Sequence, residues 1–377
     1  MRGGERCLEV FCELFPDADL YTLLHVKGTV SAIIERHPIK TSFIQGLPLS
    51  KTYYRYYLPL FPKAIEKFDL NQYDLVLSSS HCVAKGVRTS PDTCHISYIH
   101  TPMRYIWDQY GSYFSDGQSN WLSRQIMSLM LPYLRRWDVA SGQFPTYLIA
   151  SSVHVAQRIL KCYCREATVI HPPVDTAFFE ASEKDEGYYL MVTAFAPYKR
   201  VDLAVESFNR LGLPLRIIGE GQHAKFCRGM AKSNIEFLGW QPDKVVKEQY
   251  AACRAVIFPG EEDFGIVPLE AMACGKPVIA YGKGGVVETV IPLNKGSGVR
   301  GQGSVEKPTG VFFYEQKPEA LVEAVHYFEK HRDSFDPFKI REHVRPFDRQ
   351  QFKEKVHQYI QLKFQEFKEA PHAQKAC

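Results

Sequence analysis

The chain has 377 residues, 45% of them hydrophobic and 23% charged, and a formal net charge of +4. That length exceeds one ordinary core and suits two α/β domains, in the balance of a soluble globular protein. No apolar run reaches the ~18 residues that span a bilayer, and the mild positive charge suits anionic small molecules or an anionic membrane surface rather than nucleic acid.

The N-terminus, Met1-Arg2-Gly3-Gly4, leads straight into an amphipathic stretch without a signal-peptide core. A cytoplasmic protein is expected, with any membrane contact peripheral at the inner face. Ten cysteines lie scattered, the closest being Cys162 and Cys164, and read as reduced thiols buried as small hydrophobes.

In chain order, a helix over Glu5–Leu14 follows Gly3-Gly4 directly. A doubly wound domain normally places a strand before such a glycine turn, so the first strand of the N-terminal domain is read as missing. Strands are predicted at Asp19–Leu24, Thr41–Gln45, Tyr73–Ser79, Thr93–His100, Tyr147–Ala150 and Thr168–His171. Helical patterns at Lys51–Phe68, Trp121–Val139 and Val153–Cys162 lie between them. Pro172-Pro173 can carry neither a helix nor a central strand and opens an acidic stretch ending at Gly187. These marks bound a first domain at 1–172 and a linker at 173–187.

The rhythm then repeats, with strands at Tyr189–Thr193, Pro214–Ile218, Ile235–Leu238, Ala255–Phe258, Val278–Ala280 and Val311–Tyr314. Helices begin near Lys199, Pro242, Pro268, Gly285 and Pro318, giving a second domain at 188–345. The Gly-, Ser- and Lys-rich stretch Pro292–Pro308 reads as a mobile loop. After a break at Pro346, a last helical pattern at Arg349–Phe364 places 346–377 back on the N-terminal domain. Alternating strands and helices of this kind make two stacked parallel sheets.

The densest chemical signal runs from Phe258 to Ala280: a buried strand, the acidic loop Glu261-Glu262-Asp263, and a helix whose first position is read as Pro268, where a missing N–H costs nothing. Such a helix start offers unpaired amides and a positive dipole to a phosphate or sugar oxygen. Alone, Glu262 reads as a solvated loop carboxylate and Glu270 as a dipole partner in the first turn. Lys199 and Arg200 open a helix, where cations oppose the dipole, so an anionic ligand gives them a reason to be there. His100 closes a predicted strand, where sheets of this kind bind ligands. The aromatic and basic stretch Lys51–Lys67 reads either as a helix packed on its own sheet or as a surface for lipid or acceptor.

Glu262 and Glu270, with seven residues between them around Phe-Gly-Ile-Val-Pro-Leu, resemble the E-x7-E element of the family 4 retaining glycosyltransferases. The similarity continues through Cys274-Gly-Lys-Pro-Val-Ile-Ala280 and Gly284-Gly285-x-x-Glu288. His100-Thr-Pro-Met-Arg-Tyr-Ile-Trp-Asp108, Tyr133-Leu-Arg-Arg-Trp-Asp138 and Tyr198-Lys-Arg-Val-Asp202 resemble a subgroup building bacterial polysaccharides, often from GDP-mannose.

The resemblance implies two Rossmann-like domains facing a cleft, the GT-B arrangement. It implies transfer of a hexose, mannose from GDP-mannose, to a lipid-linked or polysaccharide acceptor, without cofactor or metal. Glu270 would accept hydrogen bonds from the donor ribose, and the backbone of Phe264, Gly265, Ile266, Val267 and Leu269 would lie against the diphosphate. Glu262 would face the sugar, and Lys199 and Arg200 would neutralise phosphate charge. Gly219, Gly221, Gly3 and Gly4 would approach the donor closely. His100 would act with Glu262 in catalysis, and Arg104 and Asp108 would line the cleft. Whether a nucleophile is used stays open, since a front-side displacement requires none. An epimerase or phosphorylase on the same fold is disfavoured. A non-catalytic relative that keeps the fold is the rival reading.

Overall fold

A computed structural model describes residues 3–104, 106–107, 121–293 and 307–370. The chain divides into two compact units, Met1–Pro173 with Gln350–Cys377, and Val174–Arg349.

In the first unit, β3 (Leu75–Ser80), β4 (Cys94–Ile99), β5 (Tyr147–Ala150) and β6 (Thr168–Val169) form a parallel sheet in that order. Every residue of β4 is buried, as a central strand covered on both faces requires. Its alternate residues Cys94, Ile96 and Tyr98 meet Val10 and Phe11 of the helix Gly3–Leu14. Phe352, Val356, Ile360 and Phe367 of the helix Arg349–Glu369 join the same cluster. The opposite side packs Ile99, Leu148 and Ala150 against Val155, Ile159 and Tyr163 of the helix Val153–Tyr163.

Two expectations for this half are corrected. The predicted strand Asp19–Leu24 shrinks to β1 (Leu20–Thr22), while the strand predicted at Thr41–Gln45 lies earlier, at β2 (Ile39–Thr41), and Phe43–Gly46 is a 3-10 turn; β1 and β2 pair in a sheet of their own. Neither carries a fully buried residue, so neither can serve as a core strand. The predicted helix Lys51–Phe68 breaks into Ser50–Tyr53, a 3-10 stretch Tyr54–Leu60 and Phe61–Glu66. Pro59 lies inside the 3-10 stretch, and a proline there removes a helical donor and clashes with the preceding turn.

One charged pair sits inside this unit. Lys85 and Asp138 are both fully buried, with Nζ 2.6 Å from Oδ1. Asp138 also accepts from Trp107 Nε1 at 2.8 Å and Tyr163 OH at 3.0 Å, while Lys85 donates to the Cys82 carbonyl. Arg135 donates to the Ile106 carbonyl at 2.8 Å. The segment after His100 is thereby tied to the helix Trp121–Ser141.

In the second unit, β7 (Tyr189–Val192), β8 (Leu215–Ile218), β9 (Ile235–Gly239), β10 (Ala255–Phe258), β11 (Val278–Tyr281) and β12 (Gly310–Phe313) form a parallel sheet. Their order is β12-β11-β10-β7-β8-β9. The period of two is plain: Tyr189, Met191, Ala255 and Ile257 face one core with the helices Val201–Leu211 and Pro318–Lys330. Leu190, Val256 and Phe258 face the other, with Asp243–Ala252, Ile266–Ala273 and Pro337–Val344. Val174 and Phe179, within the stretch expected as a linker, belong to this second core.

The helix Pro337–Val344 escaped the sequence reading. Its signal was local: Asp336 accepts from the amides of Phe338 and Lys339, and Pro337 takes the first helical position. Gly285 opens a 3-10 turn, Gly285–Glu288, rather than a helix. Residues 294–306, most of the loop predicted at Pro292–Pro308, lie outside the described residues.

Removing one partner of the Lys85–Asp138 pair leaves a buried charge, at a cost of about 3–5 kcal/mol. Asp138→Ala and Lys85→Met are each expected to lower the thermal unfolding midpoint strongly. The double variant Lys85→Met with Asp138→Leu should lose less than the two singles combined. Additive losses would show that the two groups do not act as a pair.

Candidate functional site

Counted from β7, the strand order of the second unit is third, second, first, fourth, fifth, sixth. In an open sheet of that order, chain connections leave the first and fourth strands in opposite directions, so a crevice opens beyond their carboxyl ends. β7 and β10 are those two strands, paired through Tyr189–Ala255 and Leu190–Val256. Lys199 lies in the connection leaving β7, and Glu262 in the connection leaving β10.

Backbone contacts lock these connections together. A Cβ built on Gly260 would sit 2.8 Å from the Tyr198 carbonyl oxygen and 3.0 Å from Lys199 Cα, so only glycine lets the two turns come this close. On the other side, the Gly285 amide donates to the Glu262 carbonyl at 2.8 Å, joining the β11 connection. Across β8, Gly219 adopts φ 136°, and a Cβ there would collide with the Thr193 carbonyl. Gly221 lies against the Phe195 carbonyl in the same way.

Within this frame the Lys199 ammonium pairs with the Glu262 carboxylate. Their side chains are only 15% and 20% exposed. Arg200, in a left-handed conformation at φ 54°, turns to Asp202 and to the Gln316 carbonyl. The helix after the acidic loop begins at Ile266, with Gly265 as its N-cap. This corrects the helix start expected at Pro268, because the chain turns at Gly265 with φ 91°. Pro268 is the third helical residue and Glu270 the fifth. Glu270 therefore lies beyond the first turn, where the dipole reading had placed it.

The amides of Ile266 and Val267 have no partner within the helix and stand at its positive end. Phe264 and Leu269 bury their side chains in the core, leaving their backbone as what they offer a ligand. Glu270 is 7% exposed and accepts from Tyr250 OH at 3.1 Å. Burial, then the neighbouring Glu270, pushes the Tyr250 hydroxyl well above its ordinary range, so it stays a donor. Lys199 and a helix start on one strand-end edge suit an anion such as a diphosphate, and the carboxylate suits hydroxyl groups beside it.

In the first unit, His100 directly follows β4, with Nε2 2.8 Å from Ser79 Oγ. Gly3 and Gly4 begin the first helix, and a Cβ on Gly4 would lie 3.5 Å from the His100 ring. Arg104 sits half-buried in the segment that follows. Asp108 lies outside the described residues.

Sequence reasoning missed Gly260, whose signal was a glycine directly after a buried strand, and Tyr250, which carries no local signal. The sequence reading that no carboxylate pair carries the Asp-x-Asp spacing, which can hold a divalent cation on a diphosphate, is corrected by Asp17-Ala18-Asp19. Asp19 instead binds Lys40 at 2.8 Å and accepts from Tyr73.

Residues 175–350 match the family described as glycosyl transferases group 1. An uncharacterized glycosyltransferase of Methanocaldococcus jannaschii is 32% identical over 149 residues, 38% of this chain and 42% of that protein. The O-antigen chain mannosyltransferase C of Escherichia coli is 27% identical over 178 residues, 42% of this chain and 46% of that one. The chain spans about half the length of the curated relatives it matches. Among solved structures, Anabaena HepE in complex with UDP and glucose covers 96% of each chain, with TM-score 0.66 and 16% identity. That likeness shows the fold: α/β, with parallel sheets in two domains, of the GT-B type.

Burial, reinforced by nearby His81, pushes the His100 imidazole from 6.5 down to about 3. His95 falls to about 3 as well, through burial and then Arg165. The unfolded chain protonates both rings below pH 6.5, whereas the folded chain resists until about pH 3. Stability is therefore fully present above pH 6.5 and is lost as pH falls through that window. His100→Gln should flatten part of the decline in unfolding midpoint between pH 6.5 and about 4. A decline parallel to wild type would show that His100 is not held neutral by the fold.

Proposed function

We propose that the chain is a retaining hexosyltransferase that takes mannose from GDP-mannose and passes it to a lipid-linked or polysaccharide acceptor. The observation that carries the reading is the convergence of Lys199, Glu262 and the helix start at Ile266 on the strand-end edge between β7 and β10. The family match supports sugar transfer, and the mannosyltransferase among the relatives supports the sugar.

In this reading Lys199 and the amides of Ile266 and Val267 take the charge that grows on the diphosphate as the glycosidic bond breaks. The leaving nucleotide needs neither cofactor nor metal, and turnover is expected to persist in EDTA. Glu270, oriented by Tyr250, accepts hydrogen bonds from the ribose. Glu262 positions the sugar hydroxyls, and displacement proceeds on the face the nucleotide leaves, which retains the anomeric configuration. His100, neutral across physiological pH, supplies a hydrogen-bonding imidazole rather than a charge.

A panel of GDP- and UDP-sugars, followed by nucleotide release, tests the donor. Release from GDP-mannose above all others is expected; no release from any sugar nucleotide would overturn the reading. Glu270→Ala should weaken binding of the nucleoside diphosphate by about 1.5–3 kcal/mol, the worth of a charge-assisted hydrogen bond. Unchanged titration would remove Glu270 from the site.

A lipid-linked acceptor would bring the protein to an anionic membrane surface, which completes the proposal. Residues 43–67 present Leu49 at 71% exposure and Tyr56 at 65%, beside Phe43, Tyr53 and Leu60. Lys51, Arg55, Lys63 and Lys67 are exposed among them, while Glu66 is turned to Trp137. Each cation near such a surface contributes about 1 kcal/mol. Sedimentation with anionic vesicles should carry the protein down at low salt, and neutralising Lys51, Arg55 and Lys63 should release it. Equal recovery in the supernatant with and without vesicles would contradict this part.

A further inference from the structure

The Lys199–Glu262 ion pair has a property that neither residue shows alone. Both side chains are largely shielded, and neither backbone can withdraw. Gly260 is pressed against Tyr198 and Lys199, and the Glu262 carbonyl is bonded to the Gly285 amide. Only the side chains are free to rearrange. Neighbouring charges are committed elsewhere: Glu261 pairs with Lys283 at 3.1 Å, and Arg200 with Asp202. An ammonium this shielded is costly to leave without a counter-charge.

We infer that Glu262 is an internal stand-in for the donor's diphosphate, holding Lys199 while the anion is away and giving it up when the anion arrives. The inference rests on the reading of the site as one for a nucleoside diphosphate sugar. One carboxylate then serves two partners in turn. Arrival of the diphosphate takes Lys199 and frees Glu262 to turn to the sugar hydroxyls. After transfer, the return of Glu262 to Lys199 competes with the bound nucleotide and helps it leave. The pair therefore lowers affinity for the product while it readies the carboxylate for the substrate, and no proton transfer is needed at either step.

Calorimetric titration of the intact protein with GDP, UDP and inorganic pyrophosphate tests this. Glu262→Gln, and Glu262→Ala as a second variant, should bind the preferred nucleoside diphosphate and pyrophosphate about threefold to tenfold more tightly than wild type, as loss of an internal competitor requires. Turnover should fall in the same proteins. Lys199→Met should weaken binding, and adding Glu262→Gln to it should restore nothing, because the competition acts only through the lysine. If wild type binds and both Glu262 variants bind equally or more weakly, the inference is overturned while the reading of the site stands. If wild type binds none of the three probes, the reading itself falls, and the inference with it.

Discussion

The candidate site depends on how closely two turns of main chain can approach. β7 and β10 are neighbours in the second unit's sheet, but neighbouring strands alone do not bring the connections beyond them into contact. Gly260 does, by allowing the β10 connection to lie against the carbonyl of Tyr198 and the Cα of Lys199. Any side chain there would push the turns apart and carry Glu262 away from Lys199. The charged chemistry at this edge is therefore set by a steric condition at a residue with no chemistry of its own.

A different constraint organises the first unit. Burying Lys85 and Asp138 is tolerable because each finds additional hydrogen-bonding partners, the Cys82 carbonyl for one and the Trp107 and Tyr163 donors for the other. Trp107 and Asp138 belong to the two motifs that resemble the polysaccharide-building subgroup. The structure accounts for both as parts of one buried network, and Arg135, over the Trp107 ring at 5.4 Å, strengthens it from the surface side. These residues hold the segment after His100 in place.

Legibility in the sequence followed burial. Tyr147–Ala150 and Ala255–Phe258 have the boundaries read from their apolar runs, because strands deep in a parallel sheet have no other way to be satisfied. Lys51–Phe68 misled because its aromatic and basic residues suit a helix in composition while Pro59 forbids one in geometry. Pro337–Val344 is short enough that its cap, Asp336, is clearer than its period. Within the candidate site, the residue types at Lys199, Glu262 and Glu270 were legible as chemistry. Their partners were not: the Lys199–Glu262 pair spans two connections, and Tyr250 reaches Glu270 from a neighbouring helix. Contacts of that kind exist only once the sheet order is known.

The central claim is that the edge between β7 and β10 receives the diphosphate of a nucleotide sugar. A crystal structure of the protein with a bound nucleoside diphosphate tests it most directly. The account predicts phosphate oxygens within hydrogen-bond distance of Lys199 Nζ and of the Ile266 and Val267 amides, with the Glu262 carboxylate moved off the lysine. A nucleotide bound elsewhere, with the Lys199–Glu262 pair intact, would contradict it.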